Sequence, residues 1–174
     1  MTGDTLPLSR PIRVADIGAR GRDVLVVADE AERAALARDF DLVSIAALEA
    51  RLHLVRRGRE IVASGEVVAT VTYACVLTLE PFDATITEAI EARFAEPDER
   101  ARDAAPEIVR DADGIDRPEP IVDWRIDPGA LAAEYVALGL DPFPKKPGAV
   151  FEQPADPGAE DGPFAALKRL DKGG

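Results

Sequence analysis

At 174 residues, with 47% hydrophobic and 31% charged side chains, the chain is long enough for one domain with appendages, and at 5% aromatic content its core must be aliphatic. A formal net charge of −12 sets it against bare phosphate backbones at long range and favours basic partners. One cysteine and one histidine exclude an intrachain disulfide and a four-ligand Cys/His zinc site. No basic stretch followed by an apolar one opens the chain and no run of 18 apolar residues occurs, so a cytoplasmic protein without membrane contact is expected.

Residues 10–17 alternate around Ile12 and Val14, which predicts a short edge strand beside Pro11. Asp23 to Ala28 is continuously apolar after its first residue and reads as a buried strand. Asp29 with Glu32 three residues on predicts a capping box and a helix over 30–39, with Leu36 and Phe40 as its apolar contacts. Leu48, Ala50, Leu52 and Leu54 alternate with Glu49, Arg51, His53 and Val55 in a strand over 43–57, and Gly58 supplies the turn. A return strand is expected over 60–78, with Val67, Ala69, Val71, Tyr73 and Cys75 on one face and Gly65 marking a bulge or a close backbone approach. Past a corner at Glu80-Pro81, a third strand over 84–95 places Ile86, Ile90, Ala92 and Phe94 on one face, interrupted by Glu88. These three strands predict an antiparallel meander with one aliphatic face that must be covered.

Residues 96–123 carry ten acids against four arginines and four prolines, which predicts a mobile acidic loop. It is either a docking arm for a basic partner or a solubilising insertion. Asp127 as N-cap and Pro128 in the first helical position predict a helix over 127–140, with Leu131, Tyr135 and Leu138 on one face, Gly139 at its end and Pro142 forbidding continuation. This helix is the expected lid of the meander. A Pro/Gly-rich tail over 145–174 follows, in which Phe164, Leu167 and Leu170 share a spacing of three beside Lys168 and Arg169. Such a segment is too short to be helical alone: it docks on the domain, docks on a protein partner through Phe164 to Leu170 as an adaptor without RNA contact, or does not fold. The organisation expected is one domain over 10–144, with the loop at 96–123 as an insertion, followed by the tail.

No catalytic constellation stands out and no cofactor is expected. Gly18-Ala-Arg-Gly21 lacks the lysine and spacing of a phosphate loop. His53 is alone on the polar face of a strand, with no nucleophile near it in sequence, and Cys75 reads as a small buried hydrophobe. One basic cluster rises above background: Arg51, Arg56, Arg57 and Arg59 against Glu49 within residues 43–59. It is a candidate RNA phosphate-binding patch, or a charged edge that blocks strand-to-strand aggregation.

At the corner, Cys75-Val-Leu-Thr78 is followed by Leu79-Glu80-Pro81-Phe82. This resembles the YceD family, named for large ribosomal RNA subunit accumulation, many of whose members carry Cys-x-x-Cys followed shortly by Pro-Phe. Three further features agree in order: a Gly-x-Val-x-Ala-like strand at Gly65 to Val71, an acidic loop leading to Ile126-Asp127 and a helix ending in Leu138 to Pro144, and a terminal Pro-Phe-Ala-x-Leu at Pro163 to Leu167. The resemblance covers about residues 24–170 and is similar to the alphaproteobacterial branch. It implies a non-enzymatic role in accumulation or processing of 23S rRNA, with the rRNA precursor or ribosomal proteins as partners and no DNA. Thr78 stands where the second cysteine would be, so any metal or redox role of the pair does not carry over. Cys75, Thr78, Glu80, Pro81 and Phe82 are thus expected to be structural. The fold class expected is α+β, an antiparallel meander covered by helices.

Overall fold

The computed structural model describes residues 7–96 and 118–150. The elements in chain order are β1 (Ile12–Arg13), a 3-10 turn (Val14–Asp16), β2 (Arg22–Val27), α1 (Glu30–Asp39), β3 (Ser44–Arg57), β4 (Glu60–Ala74), β5 (Pro81–Ala95), β6 (Glu119–Pro120), β7 (Arg125–Ile126) and α2 (Pro128–Leu138). The main sheet runs β2-β3-β4-β5-β6. Every pairing in it is antiparallel except β5 with β6, and β1 pairs with β7 in a separate two-stranded ribbon. The architecture is α+β, as the alternation patterns predict.

The meander dominates. Arg57 pairs with Glu60 across Gly58, whose φ of +66° suits the tight turn. β4 and β5 then stay in unbroken register from Glu60↔Ala95 to Ala74↔Pro81. Leu48, Ala50, Leu52 and Leu54 of β3, Val67, Ala69, Val71 and Tyr73 of β4, and Ile86 and Ile90 of β5 are all buried, so period-two alternation assigns the faces correctly along the three long strands. Leu36 and Ala37 of α1, and Leu131, Ala132 and Val136 of α2, complete the same core. Full burial of such a Leu or Ile contributes about 1.5–3 kcal/mol, and this aliphatic layer therefore carries most of the fold's stability.

Both helix starts follow from their caps. The Asp29 side chain accepts from the Glu32 N–H at 2.8 Å while Glu32 accepts from the Asp29 N–H at 2.9 Å, closing the predicted box. Arg10 adds two bonds to the Glu32 carboxylate, at 2.6 and 2.8 Å, and this hydrogen bonding holds the Glu32 carboxyl below its ordinary range. At α2 the Asp127 side chain accepts from the N–H groups of Gly129 and Ala130, and also from the Arg10 N–H at 2.6 Å and the Ser9 hydroxyl. The amino-terminal segment thereby lies flat against the first turn of α2. A Cβ on Gly129 would come within 3.0 Å of the Arg10 nitrogen, which is why glycine occupies that turn.

Several expectations are corrected. The strand over 10–17 contracts to Ile12–Arg13, because Val14 turns inward into the 3-10 turn and is buried. The apolar run at 23–28 is an edge strand: Val26 is buried, but Leu25 and Val27 face out and are more than half exposed. The return strand stops at Ala74, four residues short of Thr78, since the corner consumes 75–80, and the third strand begins at Pro81, three residues early. Gly65 is a close approach and not a bulge. Its register with Leu52 is regular, and the shift in the β3–β4 ladder lies between Ile45 and Ala47. Leu138 is not on the buried face of α2 but is 72% exposed, because the inward stripe runs through Leu131, Ala132 and Val136. The helix ends at Leu138, capped by Gly139. Finally, the expected loop over 96–123 rejoins the sheet at its end, where Glu119–Pro120 runs parallel to Phe94–Ala95 and Ile121 is buried. Residues 97–117 of that loop, and Phe164, Leu167 and Leu170 of the tail, lie outside the described residues.

Candidate functional site

The four arginines do not form one surface. Along β3, Arg51 and Arg57 share the outward parity of His53, whereas Arg56 shares the parity of the buried Leu52 and Leu54, and Arg59 sits in the turn. Three of them are paired with carboxylates. Arg51 binds Glu49 at 2.6 Å, Arg56 binds Glu96 at 2.5 Å and Arg59 approaches the same Glu96 at 3.7 Å. Among the described residues only Arg57 of the four has no ion pair. Glu96 was invisible as a partner in the sequence because it lies far along the chain. It comes beside the turn only through the Glu60↔Ala95 register of β4 and β5.

The corner is a closed loop. The Cys75 N–H donates to the Glu80 carbonyl at 2.9 Å and the Leu79 N–H to the Cys75 carbonyl at 2.8 Å. Leu79 adopts a left-handed φ of +60° while its side chain is 80% exposed. The loop grips the segment after α2: Val76 donates to the Pro144 carbonyl, the Lys146 N–H donates to Cys75 Sγ at 3.3 Å, and Lys146 Nζ reaches Glu80 at 2.9 Å. Phe82 stacks on Tyr73 with ring centroids 5.7 Å apart, and the Tyr73 hydroxyl accepts from the Asp141 N–H. Cys75 is fully buried. The Thr78 side chain beside it, then the Lys146 backbone N–H that donates to its sulfur, lower the thiol to about 7 against the opposing effect of burial. Sequence reasoning missed the docking of 141–146 on this corner, because an extended Pro-rich segment carries no periodicity to reveal what it touches.

A third feature arises only in three dimensions. Cross-strand register aligns Asp23, His53 and Ser64 in one outward row beside a shallow depression of about 600 Å³. His53 Nδ1 lies 2.7 Å from Asp23. Its Nε2 is turned against Gly21, and no hydrogen bond joins the ring to Ser64, so the row lacks the base-to-nucleophile contact of an acyl-transfer triad. Among the described residues no three His, Cys, Asp or Glu side chains converge as metal ligands, and no helix is long and apolar enough to cross a membrane.

No curated protein and no solved structure matches the chain. One family model does, that of the large ribosomal RNA subunit accumulation protein YceD, over residues 63–171. This span takes in most of β4, the corner with Cys75 and Thr78, β5, α2 and the segment docked on the corner. With more than half of the chain matched, this protein belongs to the YceD family, whose name ties it to accumulation of the large-subunit ribosomal RNA.

Proposed function

We propose that this protein is a non-catalytic cytoplasmic factor that supports 23S rRNA accumulation by binding a basic ribosomal protein during large-subunit assembly, rather than by holding the rRNA itself. The observation that carries this reading is the pairing of Arg51, Arg56 and Arg59 with Glu49 and Glu96. Each pair sets a negative charge beside the guanidinium and so lowers the local positive potential that a phosphate would meet. The net charge of −12 acts in the same direction, repelling polyanions and attracting polycations at long range.

The test sets both partners against the same chain. Electrophoretic mobility shifts on 23S fragments are expected to show no salt-sensitive complex, either with the wild type or with the doubly substituted Arg56→Glu/Arg57→Glu protein. Purified basic large-subunit proteins are expected to bind with an affinity that falls as salt rises. A salt-sensitive rRNA shift that the double substitution abolishes would overturn the proposal in favour of direct RNA binding through Arg57 and its neighbours.

A further inference from the structure

We infer that the β5 edge from Asp83 to Ala89 is a docking site for an extended basic segment of a partner protein, which adds to the sheet as a further strand. This rests on the basic-partner reading above and locates it.

The direction of the β5 backbone groups is fixed by two contacts. The Tyr135 hydroxyl of α2 donates to the Glu91 carbonyl at 2.6 Å and accepts from the Glu91 N–H at 3.2 Å, while the Ile121 N–H donates to the Ala95 carbonyl at 2.8 Å. Residues 91 and 95 therefore point away from β4. Because the β4–β5 register is unbroken, residues 83, 85, 87 and 89 point the same way. β6 covers only Phe94 and Ala95, and Tyr135 closes the edge at Glu91. Among the described residues no backbone or side-chain group bonds the outward N–H and C=O of Asp83, Thr85, Thr87 or Ala89. The open edge spans seven residues, about 20 Å at strand rise.

Sheet edges are usually blunted by lysine, proline or a bulge. This one carries no lysine, proline or bulge between Asp83 and Ala89; its charges there are the acids Asp83 and Glu88, which oppose an acidic strand and not a basic one, and Thr85, Thr87 and Ile86 favour an extended backbone. An added strand gains main-chain hydrogen bonds whatever its sequence, and its side chains set specificity. Charge supplies the choice here. Asp83, Glu88 and Glu91 on β5, Glu134 on α2 and Asp141 beyond it flank the edge; a cleft of about 330 Å³ runs along Ala84 to Glu88 and another of about 250 Å³ lies beyond the stretch, beside Glu91 to Arg93. Of the nearby cations, Arg93 is tied to Glu60 at 2.8 Å and Lys146 to Glu80 at 2.9 Å, which leaves Lys145. A segment with alternating Lys or Arg would satisfy ladder and carboxylates together.

The probe is a synthetic heptapeptide of alternating Lys and Val, compared with its Glu/Val counterpart and with a version N-methylated at alternate residues, each added to the full chain. The Lys peptide is expected to bind at low salt and to slow amide exchange at Thr85, Thr87 and Ala89, and the other two are expected not to bind. Thr87→Pro removes one outward N–H and no β4 ladder bond, so the fold is retained while affinity falls roughly tenfold. Binding of the N-methylated peptide as tightly as the Lys peptide, or undiminished binding to Thr87→Pro with unchanged exchange at these amides, would overturn the edge and leave the basic-partner reading standing. Failure of the Lys peptide and of basic large-subunit proteins alike, with 23S fragments bound, would overturn both. Amides at 85–89 that are protected without peptide and released by deleting residues 151–174 would show that the chain's own tail occupies the edge, and would also overturn the inference.

Discussion

Glu96 accepts from Arg56 at 2.5 Å and faces Arg59 at 3.7 Å, so a single carboxylate at the end of β5 holds two of the four arginines around the β3–β4 turn. Replacing it by glutamine keeps the shape and removes the charge. Glu96→Gln is expected to raise the affinity of the chain for single-stranded RNA and to steepen its log–log salt dependence by about one to two phosphate contacts. The Arg56 side chain is partly exposed, so the cost in stability is about 1 kcal/mol or less. Fluorescence anisotropy across a salt series checks the first expectation. An RNA affinity equal to that of the wild type would show that Glu96 is not what masks the arginines.

Asp127 joins three parts of the molecule: the α2 N-terminus through Gly129 and Ala130, the Arg10 backbone, and the Ser9 hydroxyl. Asp127→Ala leaves these part-buried donors unpaired and is expected to cost about 2–4 kcal/mol, more than a surface cap would. Asp127→Asn, which keeps an acceptor oxygen, is expected to lose less than half of that. Urea denaturation with both variants measures the difference.

A Cβ at position 65 would lie 2.0 Å from the Arg51 carbonyl oxygen, which is backbone and cannot swing aside. Gly65→Ala is expected to destabilise the chain by roughly 3 kcal/mol, with the loss concentrated in the β3–β4 ladder. Amide exchange at residues 51, 52 and 64–66 is the local readout, and an unchanged unfolding midpoint would contradict the expectation.

The Cys75 thiol loses its proton at about 7 in the folded chain, against an ordinary value of 9.0. Between those values the unfolded state binds more protons than the folded one, so stability is expected to climb as pH rises from about 7 to about 9 and to carry no such gain below 7. Thr78→Val removes the largest cause of the lowered value and is expected to move the ionisation upward and flatten the slope. Thiolate ultraviolet absorbance against pH, together with the unfolding midpoint at each pH, tests both statements.

Leu79 holds a left-handed backbone that costs a branched side chain about 1–2 kcal/mol, and 80% of it is exposed, so it returns little by packing. Leu79→Gly is expected to stabilise the chain by about 0.5 kcal/mol once the greater freedom of glycine in the unfolded state is offset. A destabilised variant in thermal denaturation would show that the leucine makes a contact that its exposure conceals.

The long strands and both helices were legible because each signal was local. Alternation over ten or more residues fixes a face, and Asp29 with Glu32, or Asp127 with Pro128, marks a start. What failed was what depends on neighbours in space. The run at 23–28 is apolar enough to be central, yet only β3 lies beside it. Leu138 fits a helical stripe, but the stripe in use is centred one residue away, on Ala132 and Val136. The arginines clustered in sequence, whereas their partner Glu96 and the docking of Lys146 on Cys75 arise from strand register and a fold-back that no window could contain. The open stretch of β5 was equally hidden, since which backbone groups lack partners is known only when the sheet order is.

The bonds from Asp127 to Ser9 and Arg10 bridge sequence separations of 118 and 117 residues. The meander, by contrast, closes through one tight turn and one corner of six residues between neighbouring strands. During synthesis β3, β4 and β5 can pair as soon as Ala95 has emerged, while residues 8–13 stay without their seat until α2 follows. Loop closure over such a distance costs only modestly more than over a short one, but it cannot begin before the second end exists. Residues 8–13, made before the meander, are therefore placed after it, and a nascent chain stalled before Asp127 would hold a formed sheet with one side of its core uncovered.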